Sequence, residues 1–114
     1  MIIRPTDVEE DRSERSPLVM KRIINRDEHS EHVSVTWVKL DGYHQKLVSD
    51  LCDRVYYIIE GDGEFQVGDD APGKVTTGDF VFIPKGVPYV FDGQLTYLVI
   101  NGPAFGPGAD RFLE

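Results

Sequence analysis

Three histidines, one cysteine and a few arginines and tyrosines set in apolar runs are the residues of this 114-residue chain best suited to chemistry. His29 and His32 lie together, and His44 stands alone just after Gly42. With Asp50 and Asp53, His44 could build a weak nitrogen–oxygen metal site. Cys52 has no second cysteine, which excludes an intrachain disulfide and a cysteine metal site. No histidine is clearly placed to activate it, so it reads as a buried or loop thiol rather than a nucleophile. Arg54 and Tyr56 are two residues apart, and strand alternation puts them on one face. The acidic turns Glu60-Gly61-Asp62 and Asp69-Asp70 are too sparse in ligands for a calcium loop and read as solvated turns.

Composition bounds what these residues can serve. The chain has 12 basic and 20 acidic residues and a net charge of −8. That argues against a nucleic-acid partner, whose phosphates are met by cationic side chains. Hydrophobic residues make up 40%, enough for one core in one domain. No apolar run approaches the ~20 residues that span a bilayer, and no secretory leader is visible. The expectation is a cytoplasmic protein without a membrane partner.

The elements that must position the chemistry are strands. Residues 1–18, nearly all polar from Thr6 to Ser16, read as an extended or poorly ordered arm. Residues 19–101 read as a β-barrel, and the Gly- and Pro-rich residues 102–114 as a tail leaving it, with Phe105 packing back near the mouth. Strand composition recurs at Val19–Ile24, Val33–Leu40, Arg54–Ile59, Gly63–Val67, Lys74–Thr76, Phe80–Ile83, Pro88–Phe91 and Leu95–Asn101. Asp41-Gly42, Gly61-Asp62-Gly63 and Asp92-Gly93 read as turns between them. No long amphipathic helix is visible. Tyr56-Tyr57-Ile58-Ile59 and Tyr97-Leu98-Val99-Ile100 are apolar on both faces, so the outer face must also meet something apolar, naturally a second subunit.

Two segments then carry a family likeness: Gly61-Asp62-Gly63-Glu64-Phe65-Gln66-Val67-Gly68, and Gly78-Asp79-Phe80-Val81-Phe82-Ile83-Pro84-Lys85-Gly86-Val87-Pro88-Tyr89. They resemble the cupins, small double-stranded β-helix barrels of the jelly-roll type. The family's second motif is Gly, five residues, Pro-x-Gly, two residues, His, three residues, Asn. Gly78, Pro84 and Gly86 fall at these spacings, with Tyr89 at the histidine and Gly93 at the asparagine. Its first motif puts Arg54 at the glutamate, counting back from Gly61. The His-x-His pair falls on Leu47 and Ser49, or on Val48 and Asp50. The second register turns His44, Lys46 and Asp50 inward; the first turns His44 outward. The resemblance implies an all-β fold, and a homodimer in which an N-terminal strand such as Val19–Ile24 joins a neighbour's sheet.

Metal-bearing cupins resemble one another in holding an ion with three histidines and a glutamate. None of the four is kept here, and an arginine at the glutamate position repels a metal. The expectation is therefore a protein with no metal and no cofactor. By the same resemblance Arg54 points into the barrel, Tyr89 approaches it and Tyr56 shares its face. An inward arginine needs an acceptor, either Asp50 or Asp53, or an anionic ligand. Tyr89 is then a core hydroxyl or a general acid whose pKa the arginine lowers.

Three functions follow. The first is a metal-free barrel binding a small polar or anionic molecule, a sugar derivative or carboxylate, through Arg54, Tyr89, Tyr56 and Ser49. The second is a metal-independent isomerase or epimerase, with His44 or Asp50 as base and Tyr89 as acid; an inward His44 favours it. The third is a non-catalytic dimeric interaction module.

Overall fold

The computed structural model describes residues 1–114, and nearly all regular structure in it is β. The strands are β1 (Asp11–Arg12), β2 (Leu18–Ile24), β3 (Ser34–Ser49), β4 (Asp53–Val67), β5 (Gly73–Thr76), β6 (Phe80–Ile83), β7 (Tyr89–Gly102) and β8 (Asp110–Phe112). A 3-10 turn at Pro5–Asp7 precedes them. The order across the sheet is β1-β2-β3-β7-β4-β5, with β6 on β4 and β8 on β3, and every pairing is antiparallel.

Three strands are much longer than sequence composition predicts. Asp41-Gly42, Gly61-Asp62-Gly63 and Asp92-Gly93 are not turns; β3, β4 and β7 run straight through them. Gly42, Gly93 and Gly63 face one another across the three strands. A Cβ on Gly93 would lie 2.4 Å from the Asp62 carbonyl oxygen, and its φ of +142° is one that side chains rarely adopt. Glycine serves here as a close-approach residue that lets long strands bend, which composition alone cannot tell from a turn.

Side chains alternate along these strands, and one face fills the barrel. Val38, Leu40, Tyr56, Ile58, Phe65, Ile83, Tyr89, Phe91, Leu95 and Tyr97 form its core. Phe91 lies at the centre: its ring stacks on Phe65 at 4.3 Å and meets Tyr56 and Tyr97 edge-on at 5.2 and 5.7 Å.

Both ends of the chain dock on the barrel. The arm is not loose throughout: β1 pairs with β2, and the Ser16 hydroxyl accepts the Gln45 N–H at 3.1 Å. β2 pairs with β3 of its own chain. The tail does not leave the barrel but returns as β8 against Leu47–Ser49. Its path is fixed by Phe105 N–H donating to the Ser34 hydroxyl at 2.8 Å and Ala104 N–H to the Glu31 carbonyl at 3.1 Å. No helix is long and apolar enough to cross a membrane.

Candidate functional site

The open end of the barrel holds a cavity of about 100 Å³. Leu18, Met20, Val38, Leu47, Tyr97 and Val99 give it apolar walls, and His44, Arg54, Tyr56, Asn101 and Asp110 bring polar groups to it. This is the usual pattern of a small-molecule site, a hydrophobic cavity with a few convergent polar anchors.

The position of His44 comes from a β-bulge. The β3–β7 register shifts between His44 and Leu47. The bulge changes which face each residue takes. His44 therefore lines the cavity, Leu47 beyond the bulge lines it too, and Ser49 is buried farther along the same strand. Each of the two registers open from sequence describes one side of the bulge. The His44 ring stacks on Phe91 at 4.5 Å, and its Nδ1 lies 2.9 Å from the Gln45 carbonyl. A carbonyl can only accept, so Nδ1 carries the hydrogen and Nε2 keeps its lone pair. Burial lowers the imidazole pKa, and neutral His44 is the form this cavity favours.

Arg54 is buried at the cavity floor, and its fork is fully engaged. Nε donates to Asn101 Oδ1 at 2.5 Å, Nη1 to the Tyr89 hydroxyl at 2.8 Å and Nη2 to Asp110 Oδ1 at 2.7 Å. Burial works against the charge, but Tyr89, Tyr56 and Asp110 outweigh it and the pKa is raised. The counter-ion is thus Asp110, from β8, and neither Asp50 nor Asp53. Asp50 is on the surface, ion-paired with Arg111 at 2.9 Å, and Asp53 accepts the Lys85 N–H at 2.9 Å. The weak metal set His44–Asp50–Asp53 is therefore not assembled, and Asp50 cannot act as a base in the cavity. Ser49 is wholly buried and donates to the Cys52 carbonyl at 2.9 Å, a contact internal to the loop, so it does not line the cavity. Cys52 is equally buried, and desolvation raises its thiol pKa, which makes it a poor nucleophile.

The two tyrosines differ in role. The Tyr56 and Tyr89 hydroxyls lie 2.6 Å apart. Tyr56 lines the cavity, whereas Tyr89 sits behind it between Tyr56 and Arg54. Arg54 does pull on the Tyr89 pKa, but burial outweighs it and the net shift is upward; Tyr56 is raised further by burial and by Tyr89. Both hydroxyls keep their protons at neutral pH.

The family's metal position is held here by Leu47, Ser49, Arg54 and Tyr89. A guanidinium that donates three hydrogen bonds has no lone pair for an ion, so this residue set does not fit a metal. Two members of the site were not visible in sequence, Asn101 and Asp110. The signal for Asp110 is the requirement of an inward arginine for a carboxylate, combined with the short alternating stretch Asp110-Arg111-Phe112 in a tail otherwise rich in glycine and proline.

No family model matches this sequence, and no curated protein matches it. Solved structures do. Pac13, described as a unique nucleoside dehydratase, superposes with a TM-score of 0.86 at 15% identity, over 100% of this chain and 91% of that one. The chain is a cupin-fold barrel. The polyketide cyclase RemF from Streptomyces resistomycificus matches this barrel at 0.82 and 18% identity, over 100% and 85% of the two chains. KdgF from Halomonas sp. matches at 0.76 and 14%, over 92% and 96%. Streptomyces Pac13 was also solved with uridine in variants that replace one histidine by glutamine, or one of two tyrosines by phenylalanine. The likeness is one of fold, and this barrel presents His44 and Tyr56 at its cavity, with Tyr89 hydrogen-bonded to Tyr56 behind it.

Proposed function

We propose that this protein is a metal-independent acid–base catalyst acting on a small polyhydroxylated carbonyl compound of the nucleoside or sugar type. The observation that carries the reading is the pairing of His44 and Tyr56 in one cavity. Both rings pack against Phe91, and burial holds one neutral and the other protonated. A base and an acid with these opposite preferences suit removal of a proton beside a carbonyl.

In the elimination form of this chemistry, His44 takes the proton from the carbon next to the carbonyl. Tyr56 gives its proton to the hydroxyl leaving the next carbon, which departs as water. The imidazolium then returns its proton to the tyrosinate. Arg54, acting through Tyr89, steadies the charge on Tyr56 while its proton is away. The likeness to a nucleoside dehydratase whose histidine and tyrosine variants were solved with uridine supports this choice of residues and substrate class. Binding of a carboxylate or sugar derivative without turnover is the simpler form of the same reading.

The direct test is calorimetric titration with uridine, together with deuterium exchange from heavy water into a panel of β-hydroxy aldehydes and ketones, followed by NMR. Wild type is expected to bind uridine and to catalyse exchange, with His44→Gln and Tyr56→Phe losing the exchange. Exchange that survives both substitutions overturns the assignment.

The outer sheet face supports a homodimer as the working unit. Trp37, Leu98, Tyr57 and Phe80 stand in register across β3, β7, β4 and β6, with Val35, Ile100, Val55 and Phe82 in a second row. Phe80 is 70% and Phe82 59% exposed in the single chain. A self-complementary apolar face of this kind fits a second copy.

A further inference from the structure

Beyond the inner cavity lies a wider chamber of about 370 Å³. Arg22, Thr36, Phe105 and Asp110 belong to the walls of both, so the two adjoin. Ligand pockets commonly run to ~300–1,000 Å³, so the inner cavity alone is too small for a nucleoside-sized molecule. Whatever reacts beside His44 and Tyr56 must extend outward past Phe105.

The outer chamber carries two guanidiniums, Arg22 and Arg26. The ion pairs of the protein are Arg54–Asp110 and Arg111–Asp50, so neither chamber arginine has a carboxylate partner. This is unexpected where acidic residues outnumber basic ones by 20 to 12. Both arginines are nonetheless steadied by neutral neighbours. The Arg22 guanidinium sits 5.1 Å over the Phe105 ring, and Arg26 Nη1 donates to the Ala104 carbonyl at 3.3 Å. Gly106 lets the loop lie against Arg26, since a Cβ there would come within 3.3 Å of its Cδ. Each guanidinium has five N–H donors, and these contacts leave most of them unused. Asp27 is the one carboxylate on this wall besides Asp110, whose Oδ1 is taken by Arg54.

We infer that Arg22 and Arg26 hold the phosphate of a phosphate monoester whose nucleoside or sugar body enters the inner cavity. The inference rests on the reading of that cavity as the substrate site. Two guanidiniums from separate residues can meet different oxygens of a tetrahedral, doubly charged group, whereas a planar carboxylate is satisfied by one fork. The preferred molecules are then monophosphates rather than free nucleosides or sugars.

The test titrates the full chain with uridine, uridine 5′-monophosphate, ribose 5-phosphate and inorganic phosphate, for wild type and an Arg22→Gln/Arg26→Gln variant. Both side chains are exposed, and a matching thermal midpoint checks that the variant folds. The monophosphate is expected to bind roughly tenfold or more tighter than uridine at low salt, an advantage that added salt erodes and the double variant abolishes. Equal affinity for uridine and its monophosphate, or an advantage that survives in the double variant, overturns the inference. Arginine-dependent binding of ribose 5-phosphate and inorganic phosphate with no binding of uridine keeps the phosphate site and removes the nucleoside from the reading. Binding of none of the four overturns both.

Discussion

Arg54 and Asp110 stand 56 residues apart in the chain and meet at 2.7 Å on the cavity floor. The arginine side chain is 3% exposed and the aspartate 19%, so the pair is largely shielded from water. Its worth lies less in net stability than in what happens when one partner is lost.

Arg54→Ala leaves Asp110 without its cation and Tyr89 and Asn101 without their donor. The expected cost is about 3–5 kcal/mol, the range for breaking a buried pair from one side. Urea unfolding reads it. Arg54→Met combined with Asp110→Leu is expected to recover much of the loss, and a double variant as unstable as the sum of its singles would contradict the pairing.

The two hydroxyls 2.6 Å apart are expected to separate kinetically. Tyr56→Phe removes the donor that faces the cavity and should lower deuterium exchange about 100-fold or more. Tyr89→Phe keeps the cavity-facing hydroxyl of Tyr56 but removes its partner and thereby its link to Arg54; it should cost less, with stability changed by ~1 kcal/mol. Exchange rates of the two variants, compared at equal substrate saturation, decide it.

His44 makes stability depend on pH with a definite sign. Its folded pKa is lowered, so near and below the ordinary imidazole pKa the unfolded chain binds more protons than the folded one. The contribution is fully present above that pKa and declines as pH falls toward the folded value. Unfolding midpoints of wild type and His44→Gln across this range should diverge, the variant showing the shallower slope.

Gly93→Ala adds a Cβ 2.4 Å from a backbone carbonyl oxygen at a positive φ. A cost of about 3 kcal/mol or more is expected from strain and clash together, read as a fall in thermal midpoint. Gly78→Ala, with open space around its Cβ, should show only the backbone part.

Phe82→Asp places a charge at the β6 end of one of the apolar rows, on a side chain that is 59% exposed. If the homodimer uses this face, sedimentation equilibrium should give a dimer for wild type and a monomer for the variant. A dimer that persists unchanged sends the interface elsewhere.

The barrel was legible in sequence because the Gly78–Pro84–Gly86 spacing and strand alternation are local. Arg54 and Tyr89 could be aimed inward by the same spacing. Two things were not legible. The bulge after His44 puts one extra residue within β3, and only pairing with β7 reveals it. Asp50 and Asp53 are the carboxylates nearest Arg54 in the chain, but sequence distance says nothing about which segment a sheet brings back, and here it is β8 with Asp110. The bulge and the Arg54–Asp110 pairing have one origin: register across strands is a nonlocal property.

The row Gly42–Gly93–Gly63 bears on that register. Antiparallel strands with apolar residues on both faces can slide by two positions and still look well packed. Here such a slide would put Phe91 or Leu95 where Gly93 now passes the Asp62 carbonyl, and no side chain fits there. The three glycines act as a key that turns only in one position. They thereby fix the alignment that sets Arg54 opposite Asn101, so three residues without side chains hold the cavity's polar groups in step.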